Sequence, residues 1–306
     1  MAKLINLADA EDKDFNDWID NLDLFLLDCD GVLWRGDIGI EGVSKTVDAL
    51  RARGKRVRFV TNNSTKSRKT YVSKLYETAN ISCQPEEIIS SAYAAAEYCR
   101  REGLTRKLYV IGGAGLVQEL QEVCPGVEIL GTEDWGKEFS FGTLDPKNRD
   151  HLDPDVQAVV IGFDSKFTYY KLAKASMYLR YIKGCRFIAT NKDKTYPDAY
   201  CLVPGGGSII SSLEMGSGRQ PDVVAGKPSL QLLDLIDGGM LNRNRTCMVG
   251  DRLDTDILFG NKGGLSSTML VLTGISSLDD VEKLNEEDPL RPTCYLSTFG
   301  ELWKRL

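Results

Sequence analysis

Leu24-Phe25-Leu26-Leu27-Asp28-Cys29-Asp30-Gly31-Val32-Leu33 is the stretch around which this chain of 306 residues is organised. Four apolar residues in a row, bounded by turn-forming Asp and Gly, read as a strand buried on both faces. Two carboxylates emerge at its carboxyl end, and in open α/β sheets that edge is where ligands bind. Alternate residues of a strand point the same way, so Asp28 and Asp30 can share one site. Two anions that close together repel, more so in the low dielectric of a cleft. A hard cation such as Mg2+, which prefers oxygen ligands, resolves the conflict. Alone, D-x-D is equally an Asp-rich turn that closes a strand, so the reading depends on what else the chain supplies.

Composition narrows what such a site can be. With 42% hydrophobic and 27% charged residues, the chain has the balance of a soluble, enzyme-sized globular protein. Its length predicts one large or two smaller domains. A formal net charge of −6 argues against a nucleic-acid surface. No apolar run approaches the roughly 18 residues a membrane helix needs, and residues 1–20 lack a signal-peptide apolar core. Neither a membrane partner nor secretion is therefore expected. The same stretch lacks the Arg- and Ser-rich, acid-poor character of an organelle transit peptide. The eight cysteines are dispersed, without a C-x-x-C pair, and several sit in apolar runs. Reduced, buried thiols in a reducing compartment such as the cytoplasm are predicted. Cys29, between the two carboxylates, stands where oxidation would interfere with the site. His151 is the single histidine, which removes Ser-His-Asp, zinc and most Cys-His mechanisms.

Along the chain, strands and helices alternate. Apolar residues at helical spacing from Gly42 to Arg53 lead to a strand at Val57–Val60 that ends in Thr61-Asn62-Asn63-Ser64, a βαβ unit. Helices are predicted over 67–79 and 91–103. A second set follows: a strand at 108–111, a helix near 116–123, a strand at 158–161, a helix over 169–182, a strand at 187–190 and a helix after Gly205-Gly206-Gly207. After Asp222 the opening pattern returns. Val223-Val224 precedes Gly226-Lys227-Pro228, 229–236 is helical, and Cys247-Met248-Val249 is a short buried strand ending in Gly250-Asp251-Arg252-Leu253-Asp254-Thr255-Asp256. A helix from Ile257 to Lys262 and a strand over 269–272 follow. This alternation predicts an α/β fold with a mainly parallel sheet.

Four strand ends carry distinctive polar groups: Asp28 with Asp30, Thr61 with Asn62, Lys227, and Asp251 with Asp256. One sheet can bring them to one edge, and together they suit phosphoryl transfer to a carboxylate. Asp28 is then the nucleophile and forms an aspartyl phosphate. Mg2+ is held by Asp28, Asp251 and the backbone carbonyl of Asp30. The Thr61 hydroxyl and the Asn62 N–H hold phosphoryl oxygens, while Lys227 neutralises charge on the nucleophile and the transferring group. Asp30 protonates the leaving alkoxide and then activates water, which needs a carboxyl of elevated pKa. Unaided phosphomonoester hydrolysis is so slow that up to roughly 20 kcal/mol of barrier lowering falls to this array.

The motifs D-x-D-G-V at Asp28–Val32, T-N-N-S at Thr61–Ser64, G-K-P-S at Gly226–Ser229 and G-D-R-x-x-T-D at Gly250–Asp256 match, in order, the four motifs of the haloacid dehalogenase superfamily. From about residue 20 onward the chain resembles its cap-bearing phosphatases, the 4-nitrophenylphosphatase-like group. Residues 247–260 are especially similar to phosphoglycolate phosphatases of photosynthetic eukaryotes. The resemblance implies a Rossmann-like doubly wound core formed by 1–103 and 223–306, with an inserted α/β cap of the C2 type over 104–222. Phe187-Ile188-Ala189-Thr190-Asn191 and Pro204–Ser208 look like parts of that cap. Also implied are an Mg2+ cofactor, closure of the cap over the site, a homodimer and 2-phosphoglycolate as the substrate, which would place the enzyme in photorespiratory glycolate salvage. Location is then cytoplasmic, or chloroplast after loss of a transit peptide. A preference for pyridoxal 5'-phosphate or a broad activity on phosphomonoesters stays open, as does a phospho-acceptor switch or binding scaffold without turnover. Asp256 supports the metal site from behind its ligands. Asn63 and Tyr196 join the substrate-binding residues, Tyr196 in the segment that carries the cap's specificity loop.

Each assignment has a plainer alternative. Thr61 is otherwise an ordinary helix cap, Lys227 a surface lysine and Tyr196 an exposed turn aromatic. Asn62-Asn63-Ser64 is also common turn chemistry. Asp254 has the stronger claim to be an N-cap, and Asp256 in a first helical turn also favours the macrodipole. Gly205–Gly207, without a Walker lysine, reads as a hinge. Gly112-Gly113-Ala114-Gly115 lacks the spacing of a dinucleotide loop.

Overall fold

A computed structural model of the protein describes residues 4–197 and 201–306. The chain divides into two compact units, one of Met1–Thr61, Tyr71–Ile89 and Lys227–Leu306, the other of Asn62–Thr70 and Ser90–Gly226.

The first unit is built on a seven-stranded sheet. From one edge its strands are Ile5–Asn6, Cys294–Leu296, Ser267–Val271, Thr246–Gly250, Leu24–Leu27, Arg56–Thr61 and Ile88–Ser90. The described pairings are parallel, with Leu24 opposite Arg56 on one side and Thr246 on the other. Leu24–Leu27 is buried along its whole length, as an unbroken apolar run in a parallel sheet should be. Strand order reverses beside it: Arg56–Thr61 and Ile88–Ser90 run outward on one side, and Thr246–Gly250, Ser267–Val271 and Cys294–Leu296 on the other. Such a switch point opens a crevice at the carboxyl edge of an α/β sheet. Helix Val43–Ala52 turns Val43, Val47 and Leu50 into the core and stops before Gly54, at φ +73°. A residue with a Cβ would be strained there.

The second unit has its own parallel five-stranded sheet, in the order Val223–Val224, Arg186–Ala189, Val156–Ile161, Lys107–Ile111, Glu128–Leu130. Tyr109, Ile111, Val159, Ile161, Phe187 and Leu213 lie in its core. Its limits differ from the expected 104 and 222. Helix Ser91–Arg101, with Ala92, Ala95, Ala96 and Cys99 buried, belongs here because it packs against helix Ala114–Val123. The Cys124 thiol donates to the Ala96 carbonyl at 3.4 Å. Unbroken apolar runs that end in turn-forming residues are legible as strands, whereas Ile5–Asn6, Ile88–Ser90 and Cys294–Leu296 are too short to show periodicity. The helix expected over 229–236 is a 3-10 helix, Leu230–Gly239.

Seven cysteines are buried and Cys201 is exposed, all as free thiols. Among the described residues no helix is long and apolar enough to cross a membrane.

Asp134 is a buried acid in the second unit. It accepts hydrogen bonds from Lys137 at 2.7 Å, Lys174 at 2.9 Å and the Tyr109 hydroxyl at 2.9 Å. Burial pushes its carboxyl up, but these donors outweigh burial and hold it below the usual carboxylate value. A depressed pKa contributes stability that is present above the unfolded value and lost as pH falls through the folded one. Thermal unfolding followed below about pH 4 should therefore show a loss of stability that Asp134→Asn flattens. Equal pH slopes for wild type and variant would refute the assignment.

Candidate active site

Asp28 leaves the central strand Leu24–Leu27, and Asp251 leaves its neighbour Thr246–Gly250, so the switch point places both acids at one edge. The Asp28 N–H donates to Val249 O at 2.9 Å, extending the ladder to the carboxylate itself. Lys227 opens the last segment of this unit, and its side chain is fully buried. Its Nζ donates to Asp28 Oδ1 at 2.8 Å and to Val60 O at 2.7 Å, and lies 2.6 Å from Asp256 Oδ1. That last contact is one of charge, since Asp256 Oδ1 makes no aligned hydrogen bond. Lys227 is thus a buried cation between two acids, not a surface lysine.

Asp28, Asp251 and Asp256 offer carboxylate oxygens that all lie within 4.8 Å of one another, every residue buried. Three acids against one ammonium leave an uncompensated negative charge in a dry place. Burial pushes the Asp28 carboxyl well above its ordinary value; Lys227 opposes this, and Asp256 and Asp251 add to it. Burial, then Asp256, raises Asp251 to about 7. Lys227 is held protonated, its acids outweighing the cost of burial. An all-oxygen donor set and an anionic excess fit a hard divalent cation.

Asp256 lies in a π-turn, Leu253–Ile257, and its Oδ2 accepts the Arg252 N–H at 3.1 Å. Asp254, the expected N-cap, instead pairs with the Arg252 guanidinium at 3.2 Å. Asp256 thus joins the acid cluster, while Asp254 stays outside it, paired with Arg252 and not capping the helix. The Asp30 carboxylate stands outside the three-acid cluster, its Oδ1 accepting the Trp34 indole N–H at 2.8 Å. Cys29 is buried, and burial, with Asp28 and Asp30 nearby, pushes its thiol well up. It has the character of an inert packed thiol, not of a reactive one.

One part of the site has no motif. The Thr273–Ser276 loop wraps Asp251: the Ile275 N–H donates to Asp251 Oδ2 at 2.9 Å, and the Ser276 N–H to Asp251 O at 3.0 Å. The Thr273 hydroxyl donates to Gly31 O. A Cβ at Gly274 or at Gly31 would run into the Asp251 carboxylate. The Thr-Gly pair after the strand Ser267–Val271 was the available signal.

Thr61 is buried at the end of strand Arg56–Thr61, and the next helix begins only at Arg68, so Thr61 is not its cap. Asn62, Asn63 and Tyr196 belong to the second unit, which brings them together. Asn62 Nδ2 donates to Asp193 Oδ1 at 2.9 Å, and Asn63 Nδ2 to the Tyr196 hydroxyl at 3.3 Å. The Tyr196 ring stacks on Phe163, centroids 6.3 Å apart. Gly115 is a packing glycine, since a Cβ would strike the Lys66 backbone; Gly207 likewise meets the carbonyls of Lys192 and Asp193.

Family models agree with this architecture: a haloacid dehalogenase-like hydrolase model matches residues 25–124, and a HAD-hydrolase-like model matches 224–302. The chain belongs to the haloacid dehalogenase-like hydrolases, in their phosphatase branch. It is 44% identical over 290 residues to chloroplastic phosphoglycolate phosphatase 1A of Arabidopsis thaliana, covering 92% of this chain and 77% of that one. It is 38% identical over 306 residues to the 4-nitrophenylphosphatase of Schizosaccharomyces pombe, covering 99% of each. Among solved structures, a glycerol phosphate phosphatase from Mycobacterium tuberculosis in complex with magnesium superposes with a TM-score of 0.75 at 27% identity, over 94% of this chain and 77% of that one.

Proposed function

We propose that this protein is an Mg2+-dependent phosphomonoesterase that works through an aspartyl phosphate on Asp28, with 2-phosphoglycolate as its preferred substrate. The observation that carries the chemistry is the buried Asp28–Lys227–Asp256 array beside Asp251. The 44% identity with a phosphoglycolate phosphatase supports the substrate.

Asp28 attacks phosphorus as the ester P–O bond breaks, and Asp30 gives its proton to the departing alkoxide. The Trp34 indole N–H, bonded to Asp30 Oδ1, fixes this carboxyl and leaves Oδ2 for proton transfer. Lys227 holds Asp28 in line and balances charge that builds on the transferring group. The Thr61 hydroxyl and the Asn62 N–H hold phosphoryl oxygens. The Asp30 carboxylate then takes a proton from water as it attacks phosphorus, which breaks the Asp28–P bond, frees phosphate and restores protonated Asp30. Asp28, Asp251 and the Asp30 carbonyl would hold Mg2+, with Asp256 behind them; when bound, the ion offsets the anionic charge of acids and substrate. The second unit serves as the cap, and the protein acts as a homodimer.

The test is kcat/KM for 2-phosphoglycolate, pyridoxal 5'-phosphate and 4-nitrophenyl phosphate with Mg2+. A preference of about 100-fold for phosphoglycolate, roughly 2.7 kcal/mol of differential transition-state binding, is expected. The Phe163–Tyr196 pair favours a second reading, an aromatic ester, which the reverse preference would establish. No phosphate release from any of the three would reopen the reading as a phospho-acceptor or binding scaffold without turnover.

Gly274→Ala tests the unmotifed loop. Its methyl must displace the Asp251 carboxylate, so we expect activity to fall about 100-fold, with more Mg2+ needed for half-maximal rate. An unchanged Mg2+ titration would show that the loop does not position Asp251.

A further inference from the structure

The second unit contains a closed ring of hydrogen bonds that the mechanism above does not use. Asn62 Nδ2 donates to Asp193 Oδ1 at 2.9 Å. The Asp193 N–H donates to Asn191 Oδ1 at 3.1 Å. Asn191 Nδ2 returns to the backbone carbonyl of Asn62 at 2.7 Å. A second donor, the Ser91 hydroxyl, reaches the same carbonyl at 2.6 Å from the first residue of helix Ser91–Arg101. Ser91 is 0% exposed, Asn191 4% and Asn62 7%. Gly226 closes the ring from another side: a Cβ there would lie 2.6 Å from Asn62 Oδ1 and 3.1 Å from Asn191 Cβ. The Gly226 N–H is itself tied to the Thr190 carbonyl at 2.6 Å.

Burying amide and hydroxyl groups costs free energy that apolar packing would not, and here they converge on one residue. Both ends of Asn62, carbonyl and side chain, are tied, so its φ and ψ are set, and with them the direction of its N–H. Two donors on one carbonyl also use both of its lone pairs. Its neighbour Thr61 and its own N–H are the groups assigned to the phosphoryl oxygens. We infer that Asn191, Ser91 and Asp193 are positioning residues that aim the Asn62 backbone at the transferring phosphoryl group. This rests on the phosphatase reading above. Because the ring acts on the phosphoryl oxygens, which every substrate shares, it governs rate and not choice of substrate. That separates it from a contact with the leaving group. Preorganised donors of this kind need no rearrangement as charge develops in the transition state.

The experiment compares wild type, Asn191→Ala, Ser91→Ala, Asp193→Ala and Asp193→Asn in the full chain. It reads kcat/KM on 2-phosphoglycolate and 4-nitrophenyl phosphate, inhibition by orthovanadate, and the thermal midpoint. Asn191→Ala is expected to lower kcat/KM about 30-fold on both esters, leaving their ratio within about threefold, and to weaken orthovanadate inhibition by a similar factor. Ser91→Ala and Asp193→Ala should each lose about tenfold, whereas Asp193→Asn, which keeps the acceptor for Asn62, should stay within about threefold of wild type. A midpoint lowered by no more than about 4 °C would mark the losses as catalytic. Activity within threefold of wild type in every variant, or a changed substrate ratio with orthovanadate inhibition intact, would overturn the inference. If Asn191→Ala does not fold, the Asp193 pair carries the test, because that side chain is only part-buried. A wild-type protein that releases no phosphate would instead remove the phosphatase reading itself.

Discussion

Asp28→Asn is expected to lower phosphate release at least about 10⁴-fold while leaving the fold as stable as wild type or more so. The amide keeps the shape of the side chain and an oxygen for the Lys227 ammonium, which now lies 2.8 Å from Asp28 Oδ1. It has no charge and is no nucleophile, so the covalent route closes. Stability moves the other way because Asp28, Asp251 and Asp256 crowd one buried place with a single ammonium among them. Burial and the neighbouring acids push Asp28 up, so taking its charge away removes a repulsion. Steady-state assays beside thermal unfolding in EDTA separate the two effects. Turnover near the wild-type rate would sink the aspartyl phosphate mechanism; a sharply lower midpoint would sink the electrostatic account of the cluster.

Lys227→Met is expected to damage both stability and rate. Methionine fills much of the space of the lysine stem, so packing is largely kept. The ammonium is lost, and three buried carboxylates remain without it. Removing one partner of a buried ion pair costs about 3–5 kcal/mol, because the remaining charge has neither water nor a counterion. Val60 O also loses its 2.7 Å donor. The thermal midpoint in EDTA should therefore fall by about 6–20 °C, and added Mg2+ should recover part of the loss, a divalent ion replacing the missing charge. Turnover should drop about 10³-fold even at saturating Mg2+, since Lys227 also balances charge on the transferring group. A variant as stable as wild type in EDTA would show that Lys227 does not hold the cluster together.

Much of this site is legible in the order of the residues alone. Asp28, Thr61, Lys227 and Asp251 each stand where an apolar run ends in turn-forming residues, and a parallel sheet collects such ends at one edge. The one-dimensional signal is weaker where an acid's role depends on its distant neighbour. Asp254 and Asp256 are two residues apart with similar surroundings in sequence; their roles separate only because the π-turn aims Asp256 at Lys227 and Asp254 at solvent beside Arg252. The Thr273–Ser276 loop carried no motif, because what matters in it is a backbone N–H and a missing Cβ against Asp251. Neither is written in residue type beyond a single glycine.

By itself, then, the amino-acid sequence determined the α/β class, the parallel core, the identity of the acids and lysine, and the family to which their order belongs. These follow from local rules: apolar runs make buried strands, Gly and Asp end them, and residue chemistry is fixed by type. Tertiary structure alone decided that Lys227 meets Asp28 across 199 residues of chain, that helix Ser91–Arg101 joins the second unit, and that Asn62 is tied by Asn191 across 129. Contacts at such separations depend on how whole elements stack, and burial, not sequence proximity, turns a charged pair into a site.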